Sequence, residues 1–166
     1  MIAQKLNPEA AILKAFHLKL KMREGGPVPA KEYDKIKRLS GRGGYHRSDD
    51  FLNLEGGSLP DLTVLDRFKN LEKLSLHRYR LKDISALSRQ KKLLYLDLRH
   101  NEVSDLGPLS GLSGLIYLYL KGNRIQDPTP LATLSELRYL TLEDNPLEKD
   151  RLEALRKALP KCILLA

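Results

Sequence analysis

The sequence has few cysteines and no long apolar segment. Among 166 residues there is one cysteine, Cys162, so no disulfide can form within the chain. No apolar run approaches the roughly 20 residues of a transmembrane helix, and no secretory signal segment is recognisable. A reducing cytoplasm is therefore the expected compartment, and no membrane partner is expected. Secretion of an effector without a cleaved signal stays open.

The chain also lacks the motifs that catalysis requires. There is no Gly-x-Ser-x-Gly nucleophile elbow, no cysteine pair, and no pair of histidines at the helical spacing of a zinc site. The four histidines are scattered over a predicted helix, a loop and two strand ends: His17, His46, His77 and His100. We therefore expect no catalytic residue, no metal and no cofactor, and we predict that the protein is not an enzyme.

Positive charge is concentrated near the N-terminus. Residues 1–48 hold 11 Lys and Arg against 4 Asp and Glu, whereas residues 49–166 hold 18 against 17. Such an imbalance is typical of a surface for nucleic acid or acidic partners. Long polybasic runs are missing, however, which favours a solvated face on capping helices.

What the sequence has in abundance is leucine at a fixed period. Four matching segments open every 22 residues, at Leu71, Leu93, Leu115 and Leu137. Within each segment, apolar residues return at the fourth and sixth places. An asparagine fills the ninth place of three segments: Asn101, Asn123 and Asn145. Counting back one period predicts a degenerate first repeat over 49–70, ahead of repeats over 71–92, 93–114, 115–136 and 137–147.

The spacing within a repeat predicts a short parallel strand and a return segment. Alternation at the fourth and sixth places is typical of a half-buried strand. The ninth-place asparagine is costly to bury unless it bonds backbone groups of the turn. Aspartates that recur at one place, Asp83, Asp105 and Asp127, indicate a structural role in the return turn. Because one repeat cannot bury its own leucines, stacked repeats must share one core with a cap at each end.

Two segments, 103–112 (VSDLGPLSGL) and 125–131 (IQDPTPL), resemble the 22-residue leucine-rich repeats of bacterial internalins, a class also seen in a protein phosphatase-1 regulatory subunit. The resemblance covers roughly 49–166. It implies an α/β solenoid, a horseshoe arc of about five parallel concave strands with extended or 3₁₀ turns on the convex side. It implies protein recognition rather than a substrate. Tyr79 and Gly57 replace the ladder asparagine and Pro128 replaces an apolar residue, so local geometry is open there.

Both ends of the chain predict helices. Asn7-Pro8-Glu9 and the apolar spacing after it predict a helix over 8–23. Tyr33, Ile36 and Leu39 predict a second helix over 30–40, ended by Gly41. Residues 1–48 are therefore expected to form a basic, two-helix N-terminal cap.

At the other end, Leu152, Leu155 and Leu159 predict a helix over 148–159 within a C-terminal cap over 148–166. A last apolar strand is expected from Cys162 to Leu165. In that apolar setting Cys162 is interpreted as a small buried hydrophobe rather than a reactive thiol.

The repeat alignment places equivalent side chains in rows across the concave face. Four tyrosines gather there on three adjacent strands, and tyrosine with arginine resembles the composition of binding hot spots. Alternatively, the stacked tyrosines only support the sheet. The residues predicted to contact a partner are Phe51, Lys73, His77, Arg78, Tyr95, Asp97, Arg99, Tyr117, Tyr119, Lys121, Tyr139 and Glu143.

Charge refines this prediction. A cationic strip of His77, Arg99 and Lys121, bounded by Glu55 and Glu143, favours a partner with an acidic group beside an apolar anchor. Arg78 and Arg80 are expected at one rim, either as a second contact site or as part of a degenerate repeat that packs Tyr79 inward.

We therefore predict a protein-protein interaction module that binds a protein partner, such as an adaptor, inhibitor, immunity protein or effector. The alternative is a nucleic-acid-binding protein that uses the basic segment 1–48, with tyrosines stacking on bases. The sequence gives no indication of oligomeric state.

Overall fold

The computed structural model describes residues 30–41, 52–54 and 62–166. In these ranges the sheet has seven strands, all parallel, in the order β2-β1-β3-β4-β5-β6-β7. The strands are β1 (Arg38–Gly41), β2 (Leu52–Leu54), β3 (Lys73–Ser75), β4 (Tyr95–Asp97), β5 (Tyr117–Tyr119), β6 (Tyr139–Thr141) and β7 (Ile163–Leu165). The helices are α1 (Ala30–Asp34) and α2 (Lys149–Ala158). Four 3₁₀ turns return the chain to the next strand: Thr63–Arg67, Ser85–Arg89, Gly107–Leu109 and Thr129–Thr133.

The leucines of the repeat form one continuous core. Leu74, Leu96, Leu118 and Leu140 lie in register across β3 to β6 and are fully buried. Leucines of the 3₁₀ turns, such as Leu109, bury against them from the other side. Full burial of each such side chain stabilises the fold by roughly 1.5–3 kcal/mol. The predicted half-buried parallel strands and shared core are confirmed.

The ladder asparagines bond the backbone of neighbouring repeats, as predicted. The Asn101 side chain donates to the carbonyl oxygens of Leu76 and Leu98, both at 2.8 Å, and its Oδ1 accepts from Tyr79 N at 2.9 Å and Leu81 N at 3.1 Å. Asn123 and Asn145 donate to the equivalent carbonyl oxygens one and two repeats later, and each Oδ1 accepts from one backbone N–H, that of Val103 and that of Ile125 respectively. Each buried amide therefore satisfies polar groups that the turns would otherwise leave unpaired.

The recurring aspartates have the predicted structural role in the turns. Asp83, Asp105 and Asp127 each accept, through Oδ1, a hydrogen bond from the backbone N–H two residues later, at 2.8–2.9 Å. These bonds favour the ionised carboxylate, so the hydrogen bonds from Ser85 lower the pKa of Asp83 and those from Thr129 lower the pKa of Asp127. The carboxylates therefore hold the turns that start the 3₁₀ segments.

The predicted helix over 30–40 is wrong beyond its first residues. The helix ends at Asp34, and Arg38–Gly41 forms a strand inserted between β2 and β3. The tripeptide Arg-Leu-Ser at 38–40 reproduces Lys-Leu-Ser at 73–75, and the two pair in register. The carbonyl of Lys37 also accepts from both Glu72 N and Lys73 N, as one repeat does from the next. The tripeptide thus takes the place beside β3 that the repeat count assigned to residues 51–53.

Some predictions fall outside the described ranges, among them the helix over 8–23, Phe51, Glu55 and Gly57. Whether residues 1–48 form a cap, and where the first repeat begins, stay predictions.

The C-terminal helix and strand lie where the sequence places them. Helix α2 falls within the predicted 148–159 and contacts the 3₁₀ turn Thr129–Thr133, with Leu155 buried. Strand β7 then pairs with β6. Cys162 is half-buried, and this burial raises the pKa of its thiol, as expected for a packed rather than a reactive cysteine. Neither helix of the described ranges is long and apolar enough to cross a membrane.

Candidate protein-binding surface

Equivalent side chains form rows across the concave face, the side of the sheet turned away from the leucine core. One row contains Lys73, Tyr95, Tyr117 and Tyr139 and continues to Ile163. The next contains Ser75, Asp97, Tyr119, Thr141 and Leu165. The row alignment expected from the 22-residue period is therefore confirmed across the four strands β3 to β6.

Four tyrosines form one connected group on this face, the tyrosine cluster: Tyr95, Tyr117, Tyr119 and Tyr139. The Tyr119 ring is central, with ring centroids 5.3 Å from Tyr95 and 5.6 Å from Tyr139. Tyr117 contacts Tyr95 at 6.4 Å and is 45% exposed, the most open of the four. These separations are typical of favourable aromatic pairs. The cluster therefore offers a pre-packed aromatic surface with one ring projecting into solvent.

Arg99 is held against the cluster by Asp97. Its Nε donates to Asp97 Oδ1 at 2.9 Å and a terminal nitrogen donates to Oδ2 at 2.7 Å, while the guanidinium lies 5.3 Å from the Tyr119 ring centroid. This two-point bond raises the pKa of Arg99. Asp97 itself is only 1% exposed, and its role as a contact residue stays a prediction. Alternation places Asp97 on the face turned away from the leucine core, where its carboxylate bonds the Arg99 guanidinium.

Burial also sets the protonation of the cluster. It raises the pKa of both Tyr95 and Tyr119, because the phenolate would lose hydration on this face. The phenols are therefore neutral at physiological pH and available as hydrogen-bond donors.

The predicted cationic strip is not a strip of free charge. His77 is buried, and desolvation, with Arg99, Arg78 and His100 nearby, lowers its pKa, so its ring is neutral at pH 7. Arg99 is neutralised by Asp97, and Lys121 Nζ lies 3.4 Å from Asp144 Oδ2. Recognition of an acidic partner by this strip is therefore not favoured by the geometry.

An apolar extension of the face was missed in the sequence. Ile163 is 61% exposed and Leu165 40% exposed, and they continue the rows of Tyr139 and Thr141. The strand itself was predicted, but Ile163 follows Tyr139 by 24 residues rather than 22, so the repeat count did not assign its side chains to the face. Together with Tyr117 they form most of the exposed large hydrophobic surface of the described residues.

The turns after the strands form a rim with unusual backbone angles. Residues at the eighth place of successive repeats all have positive φ: Arg78 (62°), His100 (54°), Gly122 (69°) and Asp144 (57°). Arg80 adds a second left-handed residue, at φ 56°, in the second repeat alone. Tyr79 between the arginines is buried, as predicted for a residue in the ladder position, while Arg78 and Arg80 are exposed.

Residues 69–125 match the family model described as leucine rich repeat. With the parallel sheet, the asparagine ladder and the 3₁₀ returns, this match decides the class. The fold is that of leucine-rich-repeat proteins and is similar to the fold of internalins. An internalin (inlF) of Listeria monocytogenes has a similar structure, with a TM-score of 0.61 and 22% identity over 98% of this chain and 56% of that one. The leucine-rich-repeat chain described here thus spans about half the length of that internalin.

Two other solved leucine-rich-repeat structures are similar. An internalin C2 (inlC2) of Listeria monocytogenes gives a TM-score of 0.57 at 22% identity, over 93% of this chain and 81% of that chain. A leucine-rich-repeat protein of Leptospira interrogans gives 0.54 at 21% identity, over 83% of this chain and 39% of that one. No curated protein matches the sequence. At these identities the likeness concerns the fold.

Proposed function

We propose that this leucine-rich-repeat protein is a non-enzymatic interaction module that binds a protein partner on its concave face. The observation that carries the proposal is the tyrosine cluster, packed across three adjacent strands with Tyr117 open to solvent. Repeat solenoids commonly bind partners on such extended concave surfaces. The expected working place is the cytoplasm, where the protein would act as an adaptor, inhibitor, immunity protein or effector.

The cluster has the physical properties of a binding hot spot. Tyrosine brings a large apolar area with few rotors to freeze, and here those rotors are already restricted by neighbouring rings, which lowers the entropy lost on binding. Arg99 presents a guanidinium whose position is fixed by Asp97. The exposed Ile163 and Leu165 enlarge the apolar area at one end of the same face. A standard interface of about 800 Å² on this side is the expected size.

The two ends of the chain complete the proposal. Helix α2 packs against the last 3₁₀ turn as a cap, and an N-terminal cap formed by the basic residues 1–48 stays part of the proposal. The partner is expected to be a protein with acidic groups as well as an apolar anchor.

The test is a paired substitution on opposite faces of the solenoid. Tyr117→Glu places a charge at the centre of the concave face, whereas Ala132→Glu places the same charge at an exposed position of the Thr129–Thr133 turn. Both variants should melt near the parent temperature. In quantitative pull-downs from cell extract, the parent and Ala132→Glu should recover a common set of proteins that Tyr117→Glu loses. Recovery of the same set by all three would refute the proposal.

Salt separates the alternative of nucleic-acid binding. Binding carried by phosphate contacts should fall steeply between roughly 50 and 200 mM salt and should survive Tyr117→Glu if segment 1–48 carries it. Binding that resists salt and depends on Tyr117 supports a protein partner.

A further inference from the structure

Arg78 and Arg80 differ from the other arginines of the repeats. Most arginines between residues 62 and 166 are paired with a carboxylate: Arg89 with Asp66, Arg99 with Asp97, Arg124 with Glu102, Arg138 with Glu136, Arg151 with Asp127 and Glu148, and Arg156 with Glu153. Within the described ranges, Arg78 and Arg80 are exposed and no carboxylate lies within the 4.0 Å of an ion pair. One turn thus presents two guanidinium groups to solvent, and neither forms an ion pair with a carboxylate of the described ranges.

The turn that carries these two arginines is firmly anchored. Arg78 N donates to the carbonyl oxygen of Arg99 at 3.1 Å, and Asn101 Oδ1 accepts from both Tyr79 N and Leu81 N. Tyr79, which separates the two arginines in the sequence, is buried in the hydrophobic core. Both arginines have left-handed backbone angles, a conformation that glycine or asparagine adopts far more readily. A fixed backbone reduces the ordering cost of binding at this turn.

The charge of the rim changes sign from one end to the other. The eighth place carries Arg78 in the second repeat but Asp144 in the fifth, where the neighbouring Glu143 adds a second carboxylate. Three strand spacings of about 4.8 Å separate these ends by about 14 Å. A long polyanion that follows the rim to the fifth repeat would meet Glu143 and Asp144, which stays 66% exposed beside Lys121, whereas a short acidic protein segment can end beside Arg78 and Arg80. The pattern therefore favours a protein ligand over nucleic acid.

We propose that Arg78 and Arg80 bind a carboxylate-bearing segment of the protein partner at the rim that borders the concave face, and so set the direction in which the partner crosses the strands. Guanidinium groups match carboxylates with two parallel hydrogen bonds, and such charge-assisted pairs are the strong ones. The inference rests on the proposed function, because it names the chemistry of the same partner. The acidic groups of the partner are then bound by Arg78 and Arg80 at the rim rather than by the strip of His77, Arg99 and Lys121.

The probe is a capped hexaglutamate peptide, titrated into the isotope-labelled intact chain and followed by NMR. The largest shifts should fall on the backbone and guanidinium signals of Arg78 and Arg80. The double variant Arg78→Asn, Arg80→Asn keeps residues suited to left-handed backbone and should bind about tenfold more weakly. The Lys double variant, which keeps the charge, should bind between the two. As a matched control, Arg138→Asn with Arg156→Asn removes two exposed arginines that have carboxylate partners and should leave the titration unchanged.

Shifts centred elsewhere, or hexaglutamate binding unchanged in the Asn double variant, would overturn the assignment. So would a short oligouridine that binds Arg78 and Arg80 more tightly than hexaglutamate in the same buffer. Failure here is distinguishable from failure of the proposed function, because Tyr117→Ala should leave hexaglutamate binding at the rim intact while lowering capture of the partner. If the rim assignment fails while Tyr117→Ala still lowers partner capture, the concave interface is retained. If partner capture does not depend on Tyr117 while hexaglutamate binds Arg78 and Arg80, the rim site is retained.

Discussion

The asparagine ladder gives a sharp stability prediction, and Asn101→Ala is its strongest case. Asn101 Oδ1 accepts from two backbone N–H groups, those of Tyr79 and Leu81, and its amide is buried. Alanine would leave both donors without that acceptor. A buried donor without a partner costs about 1–3 kcal/mol, so the two together should lower the free energy of unfolding by about 2–6 kcal/mol.

Asn145→Ala is the matched control for this prediction. Asn145 Oδ1 accepts from one backbone N–H, that of Ile125, and the side chain is half-buried, so water can replace part of the loss. The expected cost is about 1–2 kcal/mol. Urea unfolding of the three proteins measures both values, and hydrogen exchange of the Tyr79 and Leu81 amides should accelerate in Asn101→Ala. Equal losses in the two variants, or unchanged exchange at these amides, would refute the reasoning.

Three further predictions concern the rim and the concave face. Gly122→Ala should cost about 1–2 kcal/mol, because φ is 69° and a Cβ there would lie 2.6 Å from His100 Nδ1. The cost should shrink in a His100→Ala background, and equal losses in thermal melts of both backgrounds would contradict this contact. Arg80→Gly should raise stability by up to about 1 kcal/mol by relieving a left-handed arginine, and a lower melting temperature would show that the angle is not costly. The lowered pKa of His77 means that the unfolded chain binds a proton below about pH 6.5 that the folded chain does not. Stability should therefore fall as pH drops from 7 toward the lower folded pKa, and His77→Gln should flatten this slope in urea midpoints; an unchanged slope would count against the buried neutral ring.

The repeating part of the fold was predictable because its physics repeats. Leucine at the alternating places favours burial, asparagine after the strand favours bonds to the backbone, and aspartate in the turn favours a bond to a nearby N–H. Each of these arrangements recurs every 22 residues. The same register placed Tyr95, Tyr117 and Tyr139 in one row. Row order follows from period alone, without any knowledge of contacts.

The features that the sequence could not predict depend on contacts that occur once and do not repeat with the period. Leu39 continues the helical spacing of Tyr33 and Ile36, so the local pattern favours a helix, yet pairing with Leu74 in the sheet prevails. Alternation gives the face on which Asp97 and His77 lie but not their depth, which the neighbouring side chains decide. The pair between Lys121 and Asp144 is a similar case. The 22-residue period gives the position of Asp144 in the turn, but it does not show that its carboxylate lies within 3.4 Å of Lys121 Nζ.

The central claim is that a protein partner contacts the concave face, and site-specific photo-crosslinking tests it most directly. A benzoyl-phenylalanine placed at Tyr117, and separately at the convex position Ala132, would be activated in cell extract under identical conditions. A discrete protein adduct is expected from position 117 and none from position 132. An adduct from position 132 alone, or the same adduct from both, would contradict it.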